Sequence, residues 1–280
     1  MKSLSSLSSR SVPAIVTAII CAVVAGAPAL AQQGEGQSQE ELSKKLANPI
    51  SDLVSVPFQY NWQEGVGPDK GLRTVLNIQP VVPFSLSKDW NLIGRWIFPY
   101  VSQPASLGAK NGWGDIIFSS FFSPAKESST TWGIGPVFGL PMSSDPTLGS
   151  GKWSAGPTAV IVHFQGHFIL GFLANQLWSF ADTSNAQRTA VNQAFFQPFL
   201  SYVAKGGITY TLQTETIANW NAHPASDVWS VPIEASVSKL TKFGPFPFSV
   251  LFGGGYYVAH PEAGPHWQLR IVFILLLPRT

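Results

Sequence analysis

The chain lacks several residues that many protein functions need. Its only cysteine, Cys21, lies in an N-terminal apolar run, so the rest has neither a disulfide framework nor a thiolate nucleophile. Charged residues make up only 11% of the chain, whereas about 25% is usual for a water-soluble domain. Beyond the N-terminal run, no stretch reaches the roughly 18 apolar residues of a membrane-spanning helix. These shortages argue against disulfide scaffolds, thiol enzymes, ordinary soluble domains and helical membrane proteins.

The first residues have the layout of a secretory signal peptide. Lys2 and Arg10 precede a long apolar run, and the stretch 29–31 (Ala-Leu-Ala) supplies the small residues of a cleavage site. An uncleaved anchor is the alternative, because the run is nearly long enough to span a bilayer. The abrupt change to a Gln-rich stretch favours cleavage, so we expect residues 1–31 to be a signal peptide.

The charge balance gives no reason to expect a nucleic-acid partner. Without Lys2 and Arg10, the 17 basic residues fall to 15, which equals the number of acidic residues. The mature chain is then formally neutral, whereas nucleic-acid binding needs a basic excess.

Short stretches in which apolar and polar residues alternate fill the chain from residue 54 onward. They are rich in aromatics and separated by Gly, Pro, Asn and Asp. Alternation with a period of two gives a strand one apolar and one polar face. Each stretch is close to the 9–11 residues that a tilted strand needs to cross a membrane. We predict twelve strands: Val54–Trp62, Leu72–Pro83, Asn91–Gln103, Gly112–Phe122, Thr131–Leu140, Trp153–Phe164, His167–Phe180, Gln193–Ala204, Gly207–Ala218, Val228–Leu240, Phe246–Val258 and His266–Leu277.

The connections between these stretches alternate in length. The odd-numbered ones are longer and polar, whereas several even-numbered ones are tight, notably 165–166 and 205–206. Long loops on one side and short turns on the other are typical of an outer-membrane barrel with both termini in the periplasm. The sequence therefore predicts an all-β fold, a transmembrane antiparallel up-and-down β-barrel of about 12 strands over residues 54–280, located in the cell outer membrane.

The segment between the leader and the first strand, residues 32–53, contains one candidate helix. Within Gln39–Ala47, two acidic residues precede two lysines by four positions, a spacing that supports a helix. We expect a short periplasmic element or a mobile tail; a plug inside the barrel is the alternative.

The polar faces of the predicted strands carry six charged residues. A charge on the lipid-facing side would cost about 2–4 kcal/mol at the membrane midplane. We therefore predict that these side chains point into the lumen, where they are candidates for lining a solute path: Arg73, Arg95, Asp115, Glu215, Glu234 and Arg270. Pairing that only holds the barrel together is the alternative. Twelve strands lie between the eight of a filled barrel and the 16–18 of open channels, so we expect a narrow or gated lumen.

Prolines occur within several of the predicted strands. Because proline removes a ladder donor, we expect these residues near strand ends or bulges: Pro80, Pro99, Pro136, Pro157, Pro198 and Pro232.

Signals for catalysis or metal binding are weak. No Gly-x-Ser-x-Gly motif is present. His163 and His167 are four residues apart but flank a tight turn, so the helical spacing of metal ligands does not apply. His223, His260 and His266 lie in or beside loops and could bind a metal only by proximity in the fold. We predict no enzyme, no cofactor and no metal site.

Several motifs resemble a group of bacterial outer-membrane proteins: 48–59 (NPISDLVSVPFQ), 78–83 (IQPVVP), 114–116 (GDI), 133–136 (GIGP), 140–141 (LP), 175–179 (NQLWS) and 197–202 (QPFLSY). These proteins are commonly labelled transporters or, misleadingly, named after the peptide neuromedin U. They are similar to the barrel family linked to the meta-pathway of phenol degradation. The resemblance covers nearly the whole chain after the leader. It implies uptake of small compounds, with aromatic or hydrophobic ones as candidates, and carries over no catalytic residues.

The leading prediction is a passive barrel channel whose partners are outer-membrane lipid and a small-molecule solute. The second is a non-conducting structural or adhesive barrel whose interior is closed by the same six charges. The oligomeric state stays open.

Overall fold

The computed structural model describes residues 39–126, 128–183, 188–243 and 246–277. The predicted signal peptide, residues 1–31, lies outside the described residues. No helix in the described ranges is long and apolar enough to cross a membrane. The described residues contain one α-helix, α1 (Gln39–Leu46), and these strands: β1 (Val54–Val66), β2 (Gly71–Ile78), β3 (Val81–Ser85), β4 (Trp90–Ser102), β5 (Asn111–Trp113), β6 (Ile116–Pro124), β7 (Thr130–Leu140), β8 (Lys152–Gln165), β9 (Phe168–Asp182), β10 (Asn192–Ala204), β11 (Ile208–Gln213), β12 (Thr216–Asn219), β13 (Trp229–Phe243), β14 (Phe246–Ala259) and β15 (Trp267–Leu277).

The strands form one antiparallel sheet that closes on itself. The last strand pairs with the first, from Val54 opposite Leu277 to Glu64 opposite Trp267, and this pairing closes the barrel. Three strand positions are built from two consecutive pieces: β2 with β3, β5 with β6, and β11 with β12. The prediction of an antiparallel, twelve-stranded up-and-down barrel is confirmed.

The outer face of the barrel carries a band of exposed apolar side chains. On β15, Trp267, Leu269 and Phe273 are 39–52% exposed, whereas Gln268 and Arg270 face inward and are buried. An apolar surface of this extent is covered by another molecule. For a closed antiparallel barrel, the covering is the hydrocarbon layer of the outer membrane. The protein is therefore an outer-membrane β-barrel, as the alternation predicts.

Four of the six strand prolines lie where the ladder is irregular. Pro80 lies in the gap between β2 and β3. Pro99 and Pro198 face the gaps in the neighbouring strand positions, where their carbonyls accept hydrogen bonds from the backbone N–H groups of Gly114 (2.8 Å) and Thr214 (3.2 Å). Pro232 lies at a bulge between β13 and β14. Each lacks a donor where the regular ladder is already broken.

The expectation is wrong for Pro136 and Pro157. They lie inside β7 and β8, opposite each other in a continuous ladder. The β6–β7 and β8–β9 ladders each omit two residue pairs beside them. The side of each proline that lacks the N–H donor therefore faces the strand outside the β7–β8 pair, which is β6 for Pro136 and β9 for Pro157. The preceding residues, Gly135 and Gly156, allow the carbonyls of those neighbours to come close.

One side of the barrel interior is apolar, which the alternation of apolar and polar residues does not predict. Strands β8 to β10 carry apolar residues on both faces, so alternation does not identify their inner side. Fully burying one such side chain contributes about 1.5–3 kcal/mol. The inner residues form this cluster: Ile50, Val81, Ile93, Phe121, Val160, Val162, Ile169, Leu173, Phe199 and Val203.

Helix α1 enters the barrel from the rim formed by the short turns. It packs against β10 and β11. Near its start, Glu40 Oε1 lies 3.0 Å from Lys44 Nζ and 3.3 Å from Nδ1 of His167 in the β8–β9 turn. The hydrogen bond from Lys44 lowers the pKa of Glu40, a group outside the membrane-spanning strands. These contacts with the barrel strands favour the plug over a periplasmic element or a mobile tail.

Replacing Gly156 by Val is expected to lower barrel stability by about 1–3 kcal/mol, the usual cost of overpacking. A Cβ there would meet the main-chain carbonyl of Gln176 on β9, which cannot rotate away as a side chain could. The measurement is the temperature at which the folded band disappears on a heat-modifiable gel. Ala159→Val, at an exposed site on the same strand, is the matched control. An equal loss in both variants would contradict the close-approach explanation.

Candidate functional site

Inside the barrel lies a cavity of about 230 Å³. The end of α1 and the residues after it form one side, and the inner faces of β10, β11 and β13–β15 form the other. Hydroxyl groups are frequent on its walls: Ser43, Ser201, Thr209, Thr211, Ser236, Ser238 and Ser249. The cavity is therefore polar over much of its surface, although it adjoins the apolar inner cluster at Phe199.

Four of the six predicted lumen charges line this cavity: Arg95, Glu215, Glu234 and Arg270. They come from four separate strand positions. Glu215 lies in the gap between β11 and β12, where the interrupted ladder brings its side chain inward beside that of Arg270 on β15. Their part in a solute path stays a prediction.

Arg270 is the centre of a buried ion-paired group. Its Nη2 lies 2.7 Å from Glu215 Oε2 and 3.1 Å from Glu234 Oε1, and its Nη1 donates to Glu215 Oε1 at 3.0 Å. Its Nε donates to Asn61 Oδ1 at 2.7 Å. Arg270 and Glu234 are only 8% and 4% exposed. One guanidinium thus holds two carboxylates that would otherwise repel each other.

Neutral amides extend this group along the inner wall. Gln213 Nε2 donates to Glu234 Oε2 at 2.8 Å, and Gln268 Nε2 donates to the other carboxylate oxygen. Gln268 Oε1 accepts from the Tyr257 hydroxyl at 3.1 Å and from Gln63 Nε2 at 3.1 Å. The result is a continuous hydrogen-bonded layer across β1, β11, β13, β14 and β15.

Arg73 and Arg95 have neutral partners. Arg73 Nε donates to Gln63 Oε1 at 2.8 Å, and Arg73 does not line the cavity. Arg95 Nη2 donates to Gln79 Oε1 at 2.9 Å. Within the described ranges, no carboxylate lies within salt-bridge distance of either guanidinium. The cavity wall therefore carries two arginines and two glutamates of the predicted set, and Arg73 lies outside it.

Asp115 has a different position from the other five charged residues. It lies in the gap between β5 and β6, where its carboxylate accepts hydrogen bonds from the backbone N–H groups of Ser143 (3.3 Å) and Ser150 (2.6 Å). The Ser150 hydroxyl donates a further bond at 2.7 Å. Asp115 anchors the long β7–β8 connection and is not part of the cavity wall.

The site also contains amides that were not among the predicted site residues, namely Gln59, Asn61, Gln63, Gln79, Gln213 and Gln268. Several of them share the polar faces with the predicted charges, which is the signal that identifies them. Their partners on other strands cannot be derived from that pattern.

The histidines offer no metal centre. In the described part of the chain, no group of three or more His, Cys, Asp or Glu residues could hold a metal ion. His260 and His266 stack with ring centroids 4.6 Å apart in the β14–β15 connection, and Lys70 Nζ lies 3.4 Å from His266 Nε2. Desolvation, and then the charges of His260 and Lys70, lower the pKa of His266. That the chain is not an enzyme stays a prediction from its sequence.

No family model matches the chain, and no curated protein matches it either. Among solved structures, it is similar to the COG4313 outer membrane channel from Pseudomonas putida F1. That match has a TM-score of 0.58 and 14% identity, and covers 81% of this chain and 97% of that one. The NanC porin matches with a TM-score of 0.51 and 9% identity, over 81% of this chain and 100% of that one. These likenesses identify the fold as that of outer-membrane barrels.

Replacing Arg270 by Met should lower the free energy of unfolding by about 3–5 kcal/mol, because two carboxylates lose their buried counter-charge. Urea unfolding in detergent, followed by tryptophan fluorescence, provides the measurement. Adding Glu215→Gln and Glu234→Gln to this variant should restore most of the stability. Unchanged stability in the single variant would contradict a bracing role for the ion-paired group.

Proposed function

We propose that this protein is a passive outer-membrane channel for small solutes, with a narrow, charged lumen. The observation that carries the proposal is the cavity inside a closed barrel with an apolar outer face. Its walls present hydroxyl groups and four charged side chains rather than a continuous apolar core. The two similar structures, a channel and a porin, are consistent with this function.

We also propose a relationship to the outer-membrane proteins labelled transporters, and to the phenol-degradation barrels that they resemble. The resembling motifs supply several residues of the cavity wall, which supports this relationship: Pro49, Pro57, Gln59, Gln79, Gln197 and Phe199. Small solutes, with aromatic or hydrophobic compounds as candidates, follow from the resemblance. Phe199 gives the cavity one aromatic wall.

The second candidate is a non-conducting structural or adhesive barrel. The observation that favours it is the two-carboxylate pairing of Arg270, which joins inner faces of the barrel at the cavity. Helix α1 and the inner apolar cluster also occupy part of the lumen. In this alternative the charges act as a brace, and no solute crosses.

Conductance in planar bilayers separates the two candidates. The channel proposal predicts small, discrete conductance steps for the purified protein. Deleting residues 39–46 should increase the step size, because α1 occupies part of the lumen. A matched control is Leu72→Ala, on the exposed outer face of β2, which should leave the step size unchanged. Silence of both the full chain and the deletion variant, across solutes and voltages, would support the closed barrel instead.

Ion selectivity provides a second test of the channel. Because Arg95 is the cavity-lining arginine without a carboxylate partner in the described ranges, the channel should prefer anions, and Arg95→Ala should shift the reversal potential in a KCl gradient toward cations. Glu234→Ala should mainly lower thermal stability, because its carboxylate is held by Arg270. Arg188→Ala, in the β9–β10 connection, is the control for losing an arginine away from the cavity. An unchanged reversal potential in Arg95→Ala would remove Arg95 from the ion path.

A further inference from the structure

Arg95 is the one cavity-lining arginine, within the described residues, that is not paired with a carboxylate. The other, Arg270, donates to both glutamates and to Asn61. Arg95 has one side-chain hydrogen bond, from Nη2 to the neutral Gln79 Oε1. A guanidinium has five N–H donors in a planar fork, so most donors of Arg95 are free for another acceptor.

The surrounding amides hold Gln79 in the orientation that serves Arg95. Gln79 Nε2 donates to Gln59 Oε1 at 3.2 Å, so its oxygen faces the guanidinium. The backbone is fixed as well, since Gln79 N donates to Pro57 O at 2.9 Å and Trp96 N donates to Pro80 O at 3.1 Å. Arg95 is thereby positioned at the cavity by both its side-chain partner and the main chain.

The acidic groups of the same cavity do not supply the missing acceptor. Both oxygens of Glu215 are bound by Arg270, at 3.0 and 2.7 Å. Both oxygens of Glu234 receive hydrogen bonds from Arg270, Gln213 or Gln268. Both carboxylates are thus bound by the guanidinium of Arg270. The charge of Arg95 faces the polar cavity without a carboxylate partner.

The rest of the cavity wall is amphipathic. Hydroxyl groups on β11 and β13 lie beside apolar side chains. These come from β13–β15, from the end of α1 and from the residue after it. The apolar ones are Leu46, Ala47, Leu240, Leu251, Val272 and Ile274. A carboxylate beside Arg95 would therefore have apolar surface within the same cavity for a short hydrocarbon body. The cavity volume of about 230 Å³ is just below the roughly 300–1,000 Å³ of small-molecule sites, which limits the ligand to a small one.

We propose that Arg95 is an anion-binding subsite of the lumen, selective for small monocarboxylates that carry an apolar body. The carboxylate accepts two hydrogen bonds from the guanidinium fork, and Gln79 keeps that fork in place. The hydrocarbon body contacts the apolar wall around Leu251 and Val272. This assignment rests on the proposed channel function, for which it names the solute class.

Equilibrium binding tests the subsite without any measurement of transport. Hexanoate is titrated calorimetrically into the folded, detergent-solubilised protein near neutral pH. Hexanamide, which has the same body without the charge, and acetate, which has the charge without the body, are the comparison ligands. Hexanoate should bind at least about tenfold more tightly than either, because only hexanoate uses both parts of the site.

Three variants separate charge, geometry and general effects. Arg95→Gln should weaken hexanoate binding at least about tenfold, since a hydrogen bond to an ionised group is lost. Arg95→Lys keeps the charge but not the planar fork of donors. Its affinity for hexanoate should therefore fall between those of the unaltered chain and of Arg95→Gln. Arg73→Gln is the matched control, because Arg73 also bonds a neutral glutamine but does not line the cavity. Its affinity should equal that of the unaltered chain.

The subsite is overturned if the unaltered chain does not bind hexanoate, if it binds hexanamide equally well, or if Arg95→Gln retains full affinity. Heat-modifiable gel migration shows that each variant is folded, and Arg95→Lys provides the comparison if Arg95→Gln fails to fold. Failure of the channel proposal is a separate result. A barrel that binds hexanoate through Arg95 but is silent in bilayers refutes conduction and keeps the subsite. A barrel that conducts but does not bind hexanoate keeps the channel proposal and refutes the subsite.

Discussion

Closure of the backbone ladder is the constraint on which the rest of this structure depends. No water in the bilayer core can satisfy a free N–H or C=O group, so a lipid-facing wall must have no open edge. The pairing of β15 with β1 meets that requirement. It also explains the six strand prolines described above, each of which lies beside a gap, a bulge or omitted pairs in a ladder. Pro136 and Pro157 leave the β7–β8 ladder intact, and the omitted pairs lie in the ladders with β6 and β9.

Inside that wall, the interior is divided between two kinds of packing. Around β8–β10 an apolar cluster fills the space as a soluble core would. Across β1, β11 and β13–β15, a layer of amides and ion pairs surrounds a cavity instead. The group at Arg270 combines one guanidinium with two carboxylates. Arg73 and Arg95, which have no carboxylate partner in the described ranges, give these five charges a sum of one positive. The apolar half packs against Ala47 and Ile50, which follow α1, and the polar half leaves a cavity.

The architecture could be predicted from the sequence because lipid imposes a strict alternation on strands such as β15. The apolar cluster could not, because Val160 and Ile161 are equally apolar and only packing shows which one faces inward. Of the six predicted lumen charges, Asp115 instead binds the backbone of a loop, since a gap in the ladder changes its surroundings. The contact of Arg95 with Gln79 depends on another such gap, which alternation does not reveal.

The inner apolar cluster has a consequence for the order of assembly. Ile50 belongs to this cluster, yet it precedes the first strand of the wall. A completed barrel admits chain only through its ends, so the segment carrying Ile50 must reach its place as the last strand joins the first, or thread in afterward. The N-terminal segment therefore docks together with closure of the wall or after it, and the inner apolar cluster is complete only when both have taken place.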